Sequence, residues 1–557
     1  MEKDKKTEKG QEKKPVISYH TFMFPFLYAT DKVTRKEFGS RCHAGWQADI
    51  WNPETMKGSD YYNQYHYFNE TAHNAIYTTG KSKKGKKDNP YENFENEAVI
   101  NLRFDLSSLI MEQEAGGSDE RKSDLFEYVI RKYKDRKPGK EFEYALDIRA
   151  IRMKLYNTGV GILIFELENR KYSAEQDIIQ INDFGRRVYA PYYGYYNNDI
   201  HCSICADEVF FRINGKNREN CNLLSETLTT SAEKTILAEP IRTILSNGTY
   251  SVTAKNTPSD HETRIETVID DRMFVVCYYK NGDFVDAMRE WDGDHYRYMT
   301  HAKEMPPFNN EGNGNTAHRL YTMMYVDGDG ICCHGRDMMQ KLLSDEHIYT
   351  RWLEYYYDDE KEFRGTITGF SEYTMISVAK KPADYLITPF LTQYVEMAAL
   401  VLAQRASLLS FEYMISECVR ENKCYSADDI QKKYTLFQSQ IFLKEISSQQ
   451  QAIEIYNMLE KNLMVDKIHN DIKEQIRDLF DQKNFEHDSK ENRILFWLSL
   501  LSIVEAADVL TNLFFLESDV SWKFIFSALD ASAPIWSKLV VMIAFGAAIG
   551  ISYKRKK

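Results

Sequence analysis

The chain has 557 residues, with 71 Lys+Arg against 83 Asp+Glu for a net charge of −12. That length allows roughly two to four domains with buried cores and excludes collagen-like, wholly disordered and disulfide-miniprotein classes. A mean hydropathy of −0.53 excludes a protein whose bulk lies in lipid but leaves room for one or two terminal spans, and the acidic balance means that a phosphate-bearing partner must be held by a local basic patch.

Residues 2–14 mix Lys and Glu without apolar side chains and read as a disordered tail, since they cannot bury enough surface to offset ordering entropy. The apolar run Thr21 to Ala29 follows it. Being short, aromatic, broken by Pro25 and without a small-residue cleavage pattern, it reads as a buried strand in preference to a signal peptide. The nine cysteines are an odd number and scattered, which fits reduced thiols in a cytosolic bulk. Lys81 to Pro90, Glu112 to Lys122 and Arg131 to Lys140 read as loops.

Strand signals follow. Ile151, Met153 and Leu155 alternate with Arg152 and Lys154, Asn157-Thr158-Gly159 supplies turn chemistry, and Gly161 to Leu167 returns, which together predict a β-hairpin. Ser173 to Gln176 has the form of a capping box opening a short helix toward Asn182. Met273 to Tyr279, Leu320 to Val326 and Thr374 to Val378 read as further strands, so residues 15–382 are expected to form an α+β cytosolic ligand-sensing domain.

From residue 383 to 493 the pattern is helical. Ile453, Met458, Leu459, Leu463, Val465, Ile468, Ile472, Ile476 and Leu479 recur mostly at three- and four-residue steps, a stripe that calls for a partner helix, a neighbouring subunit or packing on its own domain. Residues 494–516 are then largely apolar, about enough to cross a hydrocarbon layer of roughly 30 Å. Residues 536–553 form a second apolar stretch with Gly546 and Gly550 four apart, Trp536 and Tyr553 at its ends and a basic 554–557 tail. The expected fold is therefore an α+β cytosolic domain, a helical stalk and two C-terminal transmembrane helices joined by an outer loop over 517–535. Such a chain would sit in a bacterial cell membrane as a multi-pass protein with the N-terminal domain and C-terminus cytoplasmic.

Within the first span, Glu505, Asp508 and Asn512 fall within about 60° of one another and Ser502 about 60° beyond, making one polar stripe fit to line a pore. The cytosolic domain, long helix, two terminal spans and final Lys/Arg cluster resemble the CorA magnesium-transporter superfamily over residues 383–557. The family's Gly-Met-Asn signature is not present, the corresponding stretch reading Thr511-Asn512-Leu513-Phe514. The chain is similar to divergent CorA-like membrane effectors of type III CRISPR systems. The resemblance implies a homopentameric ion channel for antiviral defence, with acidic rings from Glu505 and Asp508, opened by a small nucleotide such as an S-adenosylmethionine–AMP conjugate or a cyclic oligoadenylate. A divergent magnesium transporter and a membrane-tethered enzyme or scaffold are the alternatives.

For an anionic messenger, Arg152 and Lys154 on the hairpin and Arg186-Arg187 after Gly185 are the candidate ligand residues. The Tyr-rich stretches 189–196 and 355–357 either stack on a purine or fill core. His201 to Cys205 and Ile331 to His334 read as ordinary thiols in preference to a zinc site, and Asp327 to Gly330 as a turn in preference to a calcium loop. No nucleophile elbow, Walker loop, zinc-protease helix or dinucleotide fingerprint occurs, so no catalytic residue is predicted.

Overall fold

The computed structural model describes residues 14–28, 33–58, 60–80, 97–111, 125–133, 140–189, 205–218, 223, 237–254, 259–289, 316–326, 334–335, 338, 341–357, 360–380, 383–420 and 426–514. The chain divides into two compact units, Met1–Ile476 and Arg477–Lys557.

The first unit is organised on one 13-stranded sheet. Its centre is β1 (Ser18–Leu27), flanked by β6 (Val160–Asn169) and β12 (Phe274–Lys280). The apolar run of β1 is buried on both faces, as a central strand requires. Pro25 pairs opposite Ile162, at the point where the other neighbour of β1 changes from β12, whose pairing ends at Met23, to β11 (Glu266–Thr267), whose pairing starts at Phe26. The missing N–H of proline is tolerated at such an interruption.

The expected hairpin is β5 (Lys140–Tyr156) returning as β6. β5 is 17 residues long and serves two neighbours along its outer edge: β4 (Phe126–Tyr133) over its first half and β3 (Val99–Phe104) over its second. β2 (Trp46–Ala48) pairs with β3, β7 (Glu208–Ile213) with β4, and β8 (Lys216–Asn217) with β7, while β9 (Ser251–Thr253) and β10 (Glu262–Arg264) form a separate parallel pair. Beyond β12 the sheet continues through the parallel partner β15 (Thr374–Ala379) to β14 (Glu360–Phe370) and β13 (Ile348–Tyr357).

Alternation along the strands sends Ile151, Met153 and Leu155 into the main core, where they meet Ile178, Ile181 and Phe184 of a helix over Glu175–Gly185, here α4 after the short helices α1 (Arg35–Arg41), α2 (Glu70–Ile76) and α3 (Ser108–Met111). The same core takes Ile241 and Ile244 of α5 (Glu239–Leu245) and Leu320, Met323 and Met324 of α6 (Thr316–Tyr325). Against the opposite face of β1 and β6 lies α7 (Val395–Val419), which is buried nearly all round from Val395 to Leu408 because α8 (Ala427–Gln440) and α9 (Gln450–Asn462) cover its outer side.

Several expectations change. α4 begins one residue later than a Ser173 cap requires. Its N-cap is Ala174 without a side-chain cap bond, and Glu175 instead holds Arg319. Leu320 to Val326 is helical over its described length to Tyr325, because Leu320, Met323 and Met324 recur at the i, i+3, i+4 spacing of one face. Arg131 to Tyr133 still belong to β4. The stripe from Ile453 onward is divided at Met464, whose φ of +53° separates α9 from α10 (Val465–Phe514), and Leu459, Leu463, Val465, Ile472 and Ile476 are buried.

The transmembrane part of the expected fold is overturned: among the described residues no helix is long and apolar enough to cross a membrane. Residues 494–514 continue α10, where Glu491 and Arg493 directly precede the apolar run and Glu505 and Asp508 interrupt it. Each carboxylate at membrane depth costs about 3 kcal/mol. The multi-pass membrane location and the ion channel that needed the two spans fall with this finding. The second expected span, 536–553, and the outer loop lie outside the described residues. In the second unit Phe485, Ile494, Leu495, Trp497 and Leu498 are exposed.

Candidate ligand-binding site

A cavity of about 350 Å³ in the first unit is lined by the segment after β2, by Gln64 and Tyr77, by the outer faces of β3, β5 and β6, and by the start of α7 with the residues just before it. Arginines from β3 and β5 dominate it. On β3, Ile100, Leu102 and Phe104 point into the core, so Asn101 and Arg103 emerge on the other face. On β5, Arg152 stands directly opposite Arg103. The third arginine arrives by an irregularity, for the β5–β6 pairing slips between Ile148 and Ala150, and the extra residue is Arg149. The bulge brings Arg149 to the same side as Arg152, so that both meet Glu166 of β6, at 3.3 and 2.6 Å.

Arg152 also contacts Glu396 in the first turn of α7 at 2.5 Å, and Lys154 reaches the other oxygen of Glu396 at 2.7 Å. Burial alone would raise the Glu396 carboxyl, but Lys154 and Arg152 outweigh it and hold that group below the ordinary carboxylate value. Burial would likewise lower Arg152, and its two glutamates raise it instead. Lys154, 2% exposed, also donates to the Ile76 carbonyl at 2.8 Å and the Asn101 side chain at 3.2 Å. Burial is the larger influence on Lys154 and lowers it despite Glu396. Arg103, by contrast, is exposed and has no ion pair among the described residues.

Two aromatic donors complete the wall. Trp51 is packed between Tyr65 and Tyr77, with ring centroids 5.9 and 5.1 Å away and nearly parallel planes. Its faces are occupied, but its indole N–H is buried without a hydrogen-bond partner, and so is the Tyr77 hydroxyl. Burial, and then Glu396, push the Tyr77 phenol well above its usual value, so it stays a donor at neutral pH. Buried donors of this kind are rare in a folded chain and cost about 1–3 kcal/mol each when left unpaired.

The four expected ligand residues are thus not brought together. Arg152 lines the cavity. Lys154 lies beneath it, tied to Glu396. Arg186 and Arg187 follow α4, which packs on the other face of the sheet. Arg187 pairs with Asp271 at 2.9 Å. Arg186 is 1% exposed, lies 3.6 Å from Asp183 and under the Tyr373 ring, and keeps its Nε and Nη1 unpaired; burial lowers its guanidinium to about 10. Of the expected pore residues, Ser502 donates to the Leu498 carbonyl, and Glu505, Asp508 and Asn512 fall on α10 at the three- and four-residue steps of one helix face.

Cys205 is a core thiol that burial pushes up to about 11, while Cys202 lies outside the described residues. His334 meets the Tyr321 hydroxyl at 2.5 Å, and the rest of Ile331 to His334, like Asp327 to Gly330, lies outside the described residues. Tyr189 meets the Thr267 hydroxyl at 3.2 Å; 190–196 lie outside, and 355–357 belong to β13. Among the described residues no group of three or more His, Cys, Asp or Glu is arranged to hold a metal ion.

No family model matches the chain, and no curated protein does. Sequence reasoning missed Arg103, Arg149, Trp51, Tyr77 and Glu396. The alternation of Val99 to Phe104 could have exposed Arg103; nothing local marks Glu396.

Proposed function

We propose that the first unit is a sensor for a small phosphate-bearing nucleotide, bound in the cavity between β3, β5 and the start of α7. The observation that carries this reading is the convergence of Arg103, Arg149 and Arg152 on one cavity whose lining also includes Trp51 and Tyr77. Arginine forks suit phosphate oxygens bidentately. Exposed Asp49 at the same cavity suits a ribose hydroxyl. The resemblance to CorA-like effectors rested on two membrane spans, and no such helix is found among the described residues, so the nucleotide class is carried here by the cavity, through its arginines and Asp49; the messengers first expected serve only to choose the probe. Those two messengers share an adenosine 5′-phosphate unit, so AMP is the simplest probe.

Titration calorimetry of the full chain with AMP and with adenosine tests the reading. Saturable binding of AMP, weakened at least about tenfold when the phosphate is removed, is expected. Equal binding of both, or binding of neither, overturns it.

A further inference from the structure

The cavity wall is electrically balanced before any ligand arrives. Arg103, Arg149 and Arg152 face Asp49, Glu166 and Glu396. A phosphate entering such a site meets carboxylates as well as guanidinium groups, and it gains full use of Arg152 only if a carboxylate leaves. Glu166 sits on the central hairpin, fixed by its pairing with Ala150, so its backbone cannot yield without disturbing the sheet. Glu396 stands on a different footing. It belongs to a helix, and directly before that helix the backbone runs as a π-helical segment, Phe390–Tyr394, whose Leu391 and Thr392 line the same cavity. Wide π turns are uncommon and often mark functional sites. One wall of the cavity is therefore rigid sheet, and the other is the start of a helix held to it through the Arg152–Glu396–Lys154 contacts.

We infer that Glu396 is an internal stand-in for the ligand's phosphate: in the empty site it neutralises Arg152 and Lys154, and phosphate binding displaces it, releasing the first turn of α7 from the sheet. This inference rests on the nucleotide reading and adds how occupancy of the site reaches the helices. The ligand can shift the helix only by binding the released state more tightly, which the recovered Arg152 contact provides. α7 packs against both α8 and α9, so a movement of its first turn is transmitted to the helical layer.

The test compares AMP binding to wild type, Glu396→Gln and the charge-balanced double variant Lys154→Met/Glu396→Gln, which avoids leaving a buried lysine without its carboxylate should the single variant fold poorly. Amide hydrogen exchange of residues 390–402 is followed alongside. Removing the internal competitor is expected to tighten AMP binding at least about tenfold, and AMP should speed exchange at residues 395–400 of wild type but not of the variants, where that turn is already free. Unchanged or weaker AMP binding in both variants, with wild type still binding AMP, overturns the displacement and leaves the pocket reading standing. No AMP binding to any of the three chains overturns both.

Discussion

Arg152 of β5 and Glu396 of α7, 244 residues apart in the chain, meet at 2.5 Å and tie the helical layer to the sheet at the rim of the cavity. Glu396 is buried, Arg152 is partly buried at the cavity, and Glu396 is shared with Lys154, so loss of this pair is not equivalent to the loss of a surface ion pair.

Replacing Arg152 with Met leaves Glu396 and Glu166 each short of a counter-charge and should cost about 3 kcal/mol in urea unfolding. Arg186→Met should change stability by no more than about 1 kcal/mol, because the buried Arg186 leaves two nitrogens unpaired and is held only by a 3.6 Å contact to Asp183 and the Tyr373 ring. A loss of about 3 kcal/mol from Arg186→Met would show that its contacts with Asp183 and Tyr373 outweigh the burial of its unpaired nitrogens.

Arg103 is exposed and without an ion pair among the described residues, so Arg103→Ala should leave the unfolding midpoint unchanged within about 0.5 kcal/mol. The same substitution should weaken AMP binding about tenfold in titration calorimetry. Unaltered affinity would remove Arg103 from the site.

His20 is buried in β1, where its ring meets Ser18 at 2.8 Å and Asn182 at 2.7 Å. Burial lowers it to about 4, with the Asn182 bond opposing. A histidine whose folded value lies below its unfolded value of 6.5 contributes nothing to pH dependence above 6.5. Below that, the unfolded chain takes up the proton first, so stability falls by about 3 kcal/mol as pH drops from 6.5 to 4. Denaturant unfolding across that range checks it, and His20→Gln should flatten the slope.

Gly185 ends α4 where a Cβ would lie 2.6 Å from Ile130 and 2.9 Å from Phe22. Gly185→Ala should therefore destabilise by about 1–3 kcal/mol through overpacking between helix and sheet. Thermal unfolding measures it, and an unchanged midpoint would mean that α4 can lift from β1 and β4 without loss.

The sequence discloses those parts of this molecule whose causes are local. Strand alternation around Arg152 and the Asn157-Thr158-Gly159 turn specify the β5–β6 hairpin because pairing partner and turn lie within a few residues of each other. Leu320 to Val326 is misread because a short apolar run fits a strand or a buried helix until its neighbours are known. The bulge at Arg149 depends on the pairing of β5 with β6, and a shift of one residue changes the face that a side chain takes. Glu396 reaches the site only because α7 crosses the sheet, which no local pattern encodes. Arg186 looks equivalent to Arg152 as a basic residue, yet the two belong to opposite faces of one sheet.

Amide hydrogen exchange of the full chain with and without AMP locates the ligand site. Slowed exchange at residues 49–56, 76–78, 99–104 and 149–152 is predicted, since these segments line the cavity and carry its arginines. Protection centred instead on residues 183–188 and 270–273, around Arg186, or no protection at saturating AMP, would contradict it.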